Sequence, residues 1–201
     1  MKIGPQYKKA RYLGAAVFKK TQTQKYAMRA QRKVKTGKRH GAKSEYGRQM
    51  MEKQKARFSY GVSGTQFTNY VKKALQTTGD NSRNLMRLLE GRLDNTVSRA
   101  GFAPSRSAAR QMVAHGHLYV NGTIVNIPSY QVKVGDVISI REGSKNKVIF
   151  STLGEELKSF QWPAWMKVDA EKREVSVIGE PATDMSELLF DVKQVLQFYT
   201  R

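Results

Sequence analysis

The first half of the chain contains segments in which apolar residues recur every three or four positions, which is the spacing of an amphipathic helix. This periodicity predicts helices over about 44–61, 63–78 and 81–100. Ser44 is a suitable N-cap for the first of them. Gly91 lies inside the third and should weaken it by roughly 0.5–1 kcal/mol relative to Ala, so we expect a break or kink there.

In the second half, turn signals separate shorter segments. Pro104 disfavours helix at the residue before it, and Ser105 is then a suitable N-cap for a helix over 106–115 that Gly116 ends. Asn121-Gly122, with apolar residues on both sides, is the strongest short signal for a β-hairpin. The remaining pattern predicts strands over 137–140, 166–169 and 174–178, and helices over 151–161 and 186–198.

Positive charge is distributed unevenly along the chain. Lys and Arg outnumber Asp and Glu by 36 to 16 in 201 residues. Residues 1–43 carry 14 Lys or Arg and no acid, whereas residues 150–201 carry nine acids and six bases. Self-repulsion opposes collapse of the first block, so we expect an extended segment that a polyanion orders. The acidic block is expected to meet protein or solvent.

Nucleic acid, an anionic membrane surface and an acidic protein are the candidate partners of residues 1–43. A membrane-surface helix needs a broad apolar face, and this segment offers only scattered apolar side chains. A transit peptide would be rich in Arg and Ser, whereas this segment has more Lys than Arg and no Ser. The pattern favours nucleic acid, and the glycine-flanked turn at Lys38, Arg39 and His40 is a first candidate contact.

Two arginines on the helix predicted over 106–115 form a second candidate contact. Arg106 and Arg110 are four residues apart, so they project from neighbouring positions beside the apolar side of the helix. A guanidinium group binds phosphate with a planar, two-point geometry that Lys cannot match. Each of these charges could also be an ordinary solvated one. The same cationic surface is expected to include Arg92, Arg99, His115 and His117.

Four motifs occur in a specific order: residues 88–95 (Leu-Leu-Glu-Gly-Arg-Leu-Asp-Asn), residues 105–111, His115-Gly116-His117 and Val120-Asn121-Gly122. Together they closely resemble the small RNA-binding module named after small-subunit ribosomal protein four. That module also occurs in some pseudouridine synthases and tyrosyl-tRNA synthetases, and in a heat-shock RNA-binding protein. The resemblance to the ribosomal protein itself extends over nearly the whole chain, is weakest over residues 1–43, and includes residues 52–61, 125–132, 163–169 and 198–201.

The resemblance implies an α+β fold. A helical domain of residues 44–90, completed by residues 180–201, would receive an inserted mixed α/β domain at residues 91–179. The helix-helix-hairpin RNA-binding module would occupy about 91–150 of the inserted domain. Residues 1–43 would form an extended basic N-terminal tail.

The resemblance also implies a structural, non-enzymatic component of the small ribosomal subunit. Members of this family bind the 5′ domain of 16S rRNA directly, nucleate subunit assembly and influence translational accuracy near the mRNA entry channel. Expected partners are 16S rRNA, neighbouring proteins including ribosomal protein five, and mRNA near the entry channel, with no membrane and no cofactor. The expected location is the ribosome of the cytoplasm, with an organellar ribosome as the alternative.

The chain departs from the common family pattern near its start. Many relatives hold a structural zinc ion with cysteines in this region, and the absence of cysteine excludes such a site. Residues 36–41 read Thr-Gly-Lys-Arg-His-Gly in place of the usual Pro-Gly-Gln-His-Gly turn, and a short basic stretch after them is missing. A strand-unwinding role at the mRNA entrance is therefore not carried over.

Two alternatives remain. Residues 91–94 (Gly-Arg-Leu-Asp) also occur around the catalytic Asp of some pseudouridine synthases, but the flanking segments are too short for a catalytic domain, so a surface or ion-pair role is favoured for Asp94. A free-standing RNA chaperone or translational regulator is the other alternative.

His115 and His117 lack further ligands, so no metal site is predicted. The predicted RNA-binding residues are Lys38, Arg39, His40, Arg48, Lys53, Lys55, Arg57, Arg92, Arg99, Ser105, Arg106, Arg110, His115, His117 and Asn121.

Overall fold

A computed structural model describes residues 3–34, 44–151, 153–158 and 160–200 of the chain. Helices and a single antiparallel sheet account for most of these ranges. The helices are α1 (Gln6–Leu13), α2 (Gln24–Val34), α3 (Glu45–Ser59), α4 (Gly64–Gln76), α5 (Asn81–Glu90), α6 (Leu93–Arg99), α7 (Arg106–Ala114), α8 (Leu153–Lys158) and α9 (Val192–Tyr199). The strands are β1 (Leu118–Val120), β2 (Thr123–Ile124), β3 (Val137–Ile140), β4 (Met166–Asp169) and β5 (Glu174–Val177).

The chain divides into two compact units. One, here called the helical unit, comprises residues up to Ser82 together with Asp184–Arg201, and the other, here called the inserted unit, comprises Arg83–Thr183. The α+β fold class, with a mixed unit inserted into a helical one, is thereby confirmed. The domain limits at residues 90 and 180 stay a prediction. Residues 88–91 are hydrogen bonded within the inserted unit, because Leu88 O accepts from the Gln131 side chain at 3.1 Å and Gly91 O accepts from Val132 N at 2.8 Å.

In the helical unit, serine caps and apolar stripes account for the long helices. Ser44 Oγ accepts from Gly47 N at 3.2 Å at the start of α3, and Ser63 Oγ accepts from Gln66 N at 3.2 Å at the start of α4. Such caps satisfy backbone donors that a first helical turn leaves unpaired. One face of α4 buries Phe67 completely, and α3 packs against α9. The ring centroids of Phe67 and Tyr199 lie 6.3 Å apart.

The expectation of an extended N-terminal segment is wrong for residues 6–34, which form α1, a short 3₁₀ turn and α2. Leu13, Val17, Phe18 and Phe58 belong to one buried apolar cluster, in which the rings of Phe18 and Phe58 lie 5.7 Å apart. Gly14 ends α1 with a φ of +66°, a conformation that glycine adopts at little cost. Burial of these side chains offsets the charge repulsion from which the extended segment was predicted.

The inserted unit contains a five-stranded sheet in the order β2-β1-β3-β5-β4, with antiparallel neighbours throughout. The predicted hairpin is confirmed: Asn121 and Gly122 have φ values of +51° and +78°, as a two-residue turn of the type favoured in hairpins requires. Apolar residues of α6, α7 and the inner face of the sheet, including Leu93, Val113 and Ile138, form the core of this unit.

One predicted helix is interrupted where a break was expected, and the helices predicted over 151–161 and 186–198 are shorter than predicted, as α8 and α9. The helix over 81–100 is broken, as expected, between Glu90 and Leu93. An alanine at Gly91 would place its Cβ 2.9 Å from Arg87 O, so the residue is too close to backbone for a side chain. The closing helix begins at Val192 rather than near residue 186, because the Asp191 carboxylate accepts from Lys193 N at 2.8 Å and caps it there.

Candidate nucleic-acid interface

A buried polar network connects the end of α5 with α6 and α7. Asp94, in the first turn of α6, is 1% exposed. Its carboxylate accepts from Arg92 at 3.0 and 2.8 Å and from Arg110 at 2.8 and 2.6 Å. The ion-pair role predicted for Asp94 is therefore confirmed, and the surface role is excluded by its burial. This carboxylate therefore links Arg110 of α7 to α6.

Glu90 is the second buried acceptor and has no solvent exposure. It accepts from Arg99 at 3.3 and 3.2 Å and from Asn95 Nδ2 at 2.6 Å. Asn95 Oδ1 in turn accepts from Arg106 Nε at 2.6 Å. Asn95 ends the first motif but was not among the predicted site residues, because an amide gives no charge signal in the sequence. It links the buried Glu90 carboxylate to Arg106, which was predicted to bind RNA.

The network keeps an excess of positive charge near the surface. The carboxylates of Glu90 and Asp94 accept from three guanidinium groups, and a fourth, that of Arg106, donates to the Asn95 amide oxygen. The side chains of Arg99 and Arg110 are each 27% exposed, and Arg106 is also half-buried. Hydrogen bonds to buried acceptors restrict the rotamers of these long side chains, so binding of an anion to them would cost less conformational entropy. This set of Arg99, Arg106 and Arg110 is called the arginine face below.

Arg92 does not lie on that surface. Its side chain is 2% exposed and forms a bidentate ion pair with Asp94, and its backbone pairs with Gln131. The prediction that Arg92 contributes to an exposed cationic surface is corrected by this burial. Because the helix breaks at Gly91, the backbone of Arg92 is extended. The Arg92 side chain therefore points in a different direction from that in a continuous helix.

The two predicted histidines occupy different environments. His115 is exposed, whereas His117 is half-buried, with Nδ1 3.0 Å from Ser144 Oγ and its ring edge-on to Phe150. Burial lowers the pKa of His117, and the nearby charges of Lys147, His115 and Arg141 lower it further. The lowered pKa makes His117 harder to protonate than a free imidazole, which weakens the positive contribution predicted for this side chain.

Other predicted residues have structural partners. Ser105 Oγ caps α7 by accepting from Ala108 N at 3.3 Å, as predicted. Asn121 donates to Asp136 Oδ1 at 2.8 Å and accepts from Val137 N at 2.9 Å, so its side chain ties the hairpin to β3. The observed contacts of both side chains are within the protein.

In the helical unit, the predicted cations lie along α3. Arg48 is exposed, and Lys55 pairs with Glu52 at 2.6 Å. Lys53 Nζ lies 4.3 Å from the ring centroid of Phe198, a cation–π contact that helps join α3 to α9. Arg57 is half-buried, and burial lowers its pKa. Lys38, Arg39 and His40 lie outside the described residues.

The cations of residues 6–34 were predicted to lie on an extended segment, but they lie on helices. α1, α2 and the turn between them carry their basic side chains around the cluster of Leu13, Phe18 and Phe58. Because these elements are helical, the charges have defined spacing. The exposed members of this set, called the N-terminal basic patch below, are Lys8, Arg11, Lys19, Lys20, Lys25 and Arg29.

Replacing Ser105 with Ala should lower the free energy of unfolding by about 0.5–2 kcal/mol, because the N-cap acceptor for Ala108 N is lost. Urea unfolding followed by circular dichroism measures the change. The matched control is Ser107→Ala, which removes an exposed hydroxyl from the same helix and should cost little. Equal effects of the two substitutions would contradict the capping role.

Within the part of the chain that the structure describes, no helix is both long enough and apolar enough to cross a membrane. The same residues include no cluster of three or more His, Cys, Asp or Glu side chains suited to hold a metal ion.

Comparison with known proteins identifies two family models that together cover most of the chain. Residues 1–90 match the ribosomal protein S4/S9 N-terminal domain, and residues 91–138 match the S4 domain. The second match contains α6, α7 and the β1–β2 hairpin, and therefore most of the network around Asp94.

Three relatives carry the name small ribosomal subunit protein uS4. The relative from Chromobacterium violaceum is 41% identical over 207 residues, covering 99% of this chain and 98% of its own. The relative from Christiangramia forsetii is 42% identical, covering 89% and 88%. The relative from Syntrophomonas wolfei is 44% identical, covering 79% and 76%. Identity at this level over three quarters or more of each sequence, together with the two domain matches, places this chain in the ribosomal protein S4 family.

Proposed function

We propose that the chain is a structural, non-enzymatic component of the small ribosomal subunit that binds 16S rRNA. The observation that carries the proposal is the full-length similarity to proteins named small ribosomal subunit protein uS4. The surface chemistry supports it, because the arginine face and the N-terminal basic patch both present cations to solvent.

Binding is proposed to depend on the shape and backbone of the RNA rather than on base sequence. Double-stranded RNA hides its major-groove edges, so proteins recognise phosphates, 2′-hydroxyls and the geometry of junctions. The arginine face supplies guanidinium groups held by buried acceptors, which suits phosphate at fixed positions. The N-terminal basic patch adds phosphate contacts whose affinity depends on salt.

The finer assignments follow the family resemblance. The RNA target is the 5′ domain of 16S rRNA, early binding there nucleates subunit assembly, and the site lies near the mRNA entry channel, where it influences translational accuracy. Ribosomal protein five is the proposed protein neighbour. Cross-linking mass spectrometry on intact ribosomes tests these neighbours together, and cross-links confined to other rRNA domains would refute the assignment.

Replacing Arg106 and Arg110 together with Ala should weaken binding to a 5′-domain rRNA fragment. The loss should be about 1–3 kcal/mol for each bidentate contact removed, measured by filter binding at fixed salt. Because Arg110 also pairs with Asp94, the variant must first be shown to fold by circular dichroism.

The matched control replaces Arg83 and Arg87, which are also four residues apart and exposed on a helix, here α5. This control should leave the affinity nearly unchanged. A folded Arg106/Arg110 variant that binds as tightly as the control would move the RNA-binding surface away from α7.

Sedimentation separates a ribosomal component from the alternatives. A structural component should co-sediment stoichiometrically with small subunits in a sucrose gradient at moderate salt. Recovery only in the free fractions would instead favour an RNA chaperone or translational regulator. Methyl transfer or pseudouridine formation on rRNA by the purified protein would favour a modifying enzyme.

A further inference from the structure

A groove of about 340 Å³ lies between α1 and α3 in the helical unit. Its apolar lining includes Tyr12 and Leu13 of α1 and Met50, Met51 and Phe58 of α3. Tyr12 is 67% exposed and Met50 is 37% exposed, so an aromatic ring and a thioether face solvent beside each other. The volume is at the lower end of the range of about 300–1,000 Å³ for small-ligand sites, which suits one planar group.

Two cations accompany this apolar lining. Lys9 Nζ lies 4.8 Å and Arg57 Cζ 4.5 Å from the centroid of the Phe58 ring, and both residues line the groove. No acidic residue is among the lining residues. A flat apolar surface bordered by positive charge is complementary to a ligand that combines a ring with a phosphate.

We propose that the groove between α1 and α3 receives one unstacked nucleotide of ribosomal RNA. This inference rests on the proposed function and adds a single-nucleotide contact to the backbone binding described above. Tyr12 supplies the stacking surface, Met50 and Met51 supply the apolar wall, and Lys9 and Arg57 are the partners of the phosphate. Every base has a π-face, so the site accepts any base that the RNA leaves unpaired at this position.

Charge complementarity favours a nucleotide over an apolar peptide segment as the occupant. A peptide side chain could fill the apolar part of the groove, but it would leave Lys9 and Arg57 without a counter-charge. The N-terminal basic patch continues from α1, so the groove opens within a surface that already attracts polyanions. RNA phosphates bound along α1 bring neighbouring bases close to the Tyr12 ring.

The test is chemical probing of a 5′-domain rRNA fragment at nucleotide resolution, with saturating full-length protein. Wild-type protein should protect one unpaired nucleotide that becomes reactive with Tyr12→Ala, while the rest of the footprint is unchanged. The affinity should fall about tenfold, as expected for the loss of one base stacked on an aromatic ring. Tyr12→Phe keeps the ring and should keep both the protection and the affinity.

A second variant and a control make the outcomes distinct. Met50→Glu places a carboxylate at the groove and should expose the same nucleotide as Tyr12→Ala. Tyr46→Ala removes a ring that is 52% exposed, lies on α3 and does not line the groove, and it should leave that nucleotide protected.

Three other outcomes would overturn one of the two proposals. If wild-type protein protects no part of the fragment, the proposed rRNA-binding function fails. If wild-type protein binds and both groove variants give its footprint and affinity, the groove holds no nucleotide. If the whole footprint is lost at saturating protein, Tyr12 and Met50 act in folding, and the nucleotide site is again refuted.

Discussion

Replacing four lysines of the N-terminal basic patch (Lys8, Lys19, Lys20 and Lys25) with Gln should strongly reduce both the affinity for rRNA and its dependence on salt. For each phosphate contact removed, the slope of log K against log salt concentration should become shallower by roughly 0.7–0.9, because fewer counterions are released. The expected change for the four substitutions is therefore about 3 if all four lysines meet phosphate. Titrations of a 5′-domain fragment at several salt concentrations measure the slope.

The experiment must separate the effect of the position of these charges from the effect of their number. A control that replaces Lys133, Lys167, Lys172 and Lys193 with Gln removes the same net charge from exposed positions elsewhere. Its slope should stay close to that of the wild type. Equal slopes in the two variants would mean that the protein attracts RNA through overall charge and that α1 and α2 make no defined contacts.

Replacing Asp94 with Ala should lower the free energy of unfolding by about 3–5 kcal/mol, the usual cost of removing one partner of a buried ion pair. Asp94 is 1% exposed and binds Arg92, which is 2% exposed, so the substitution leaves a buried guanidinium without its carboxylate. Arg110 loses the same acceptor and becomes less ordered. The stability of the folded inserted unit and the affinity for rRNA should therefore fall together.

Urea unfolding of Asp94→Ala is best compared with that of Glu142→Ala. Glu142 pairs with Lys145 at 2.6 Å, the same separation as between Asp94 and Arg110, but its side chain is 77% exposed. Removal of this exposed pair should cost about 0–1 kcal/mol. A loss below about 1 kcal/mol for Asp94→Ala would indicate that the structure relaxes around Arg92, so that the buried carboxylate does little for stability.

Features that depend on neighbouring residues were predictable from the sequence. Ser44 and Ser105 cap helices because their hydroxyls reach backbone amides three residues ahead, and Asn121-Gly122 forms a turn because both residues tolerate positive φ. The break at Gly91 was expected from helix propensity alone. The arginines at 106 and 110 could be assigned to one side of α7 from their spacing.

Features that depend on distant partners were not predictable in this way. Phe18 becomes buried because Phe58, forty residues later, lies against it, so residues 6–34 fold although their own charge opposes it. The sequence alone predicts that Arg92 is a surface cation. Its burial depends on the ion pair with Asp94 and the backbone pairing with Gln131, which the sequence does not reveal. The lowering of the His117 pKa depends on burial against Phe150 and on the charge of Lys147, and both of these residues come from a separate segment.

The position of α9 in the chain determines which of the two units is completed first during synthesis. The helical unit packs α3 against α9, and Tyr60 meets Phe190 edge-on, but these partners are separated by the whole inserted unit. Residues 83–183 are therefore complete before the first unit has its last helix. Whereas multidomain chains usually fold from the N-terminus onwards, here the middle of the chain can fold first. Nascent chains lacking residues 184–201 would contain a folded sheet unit preceded by α3 and α4, whose partner α9 has not yet been made.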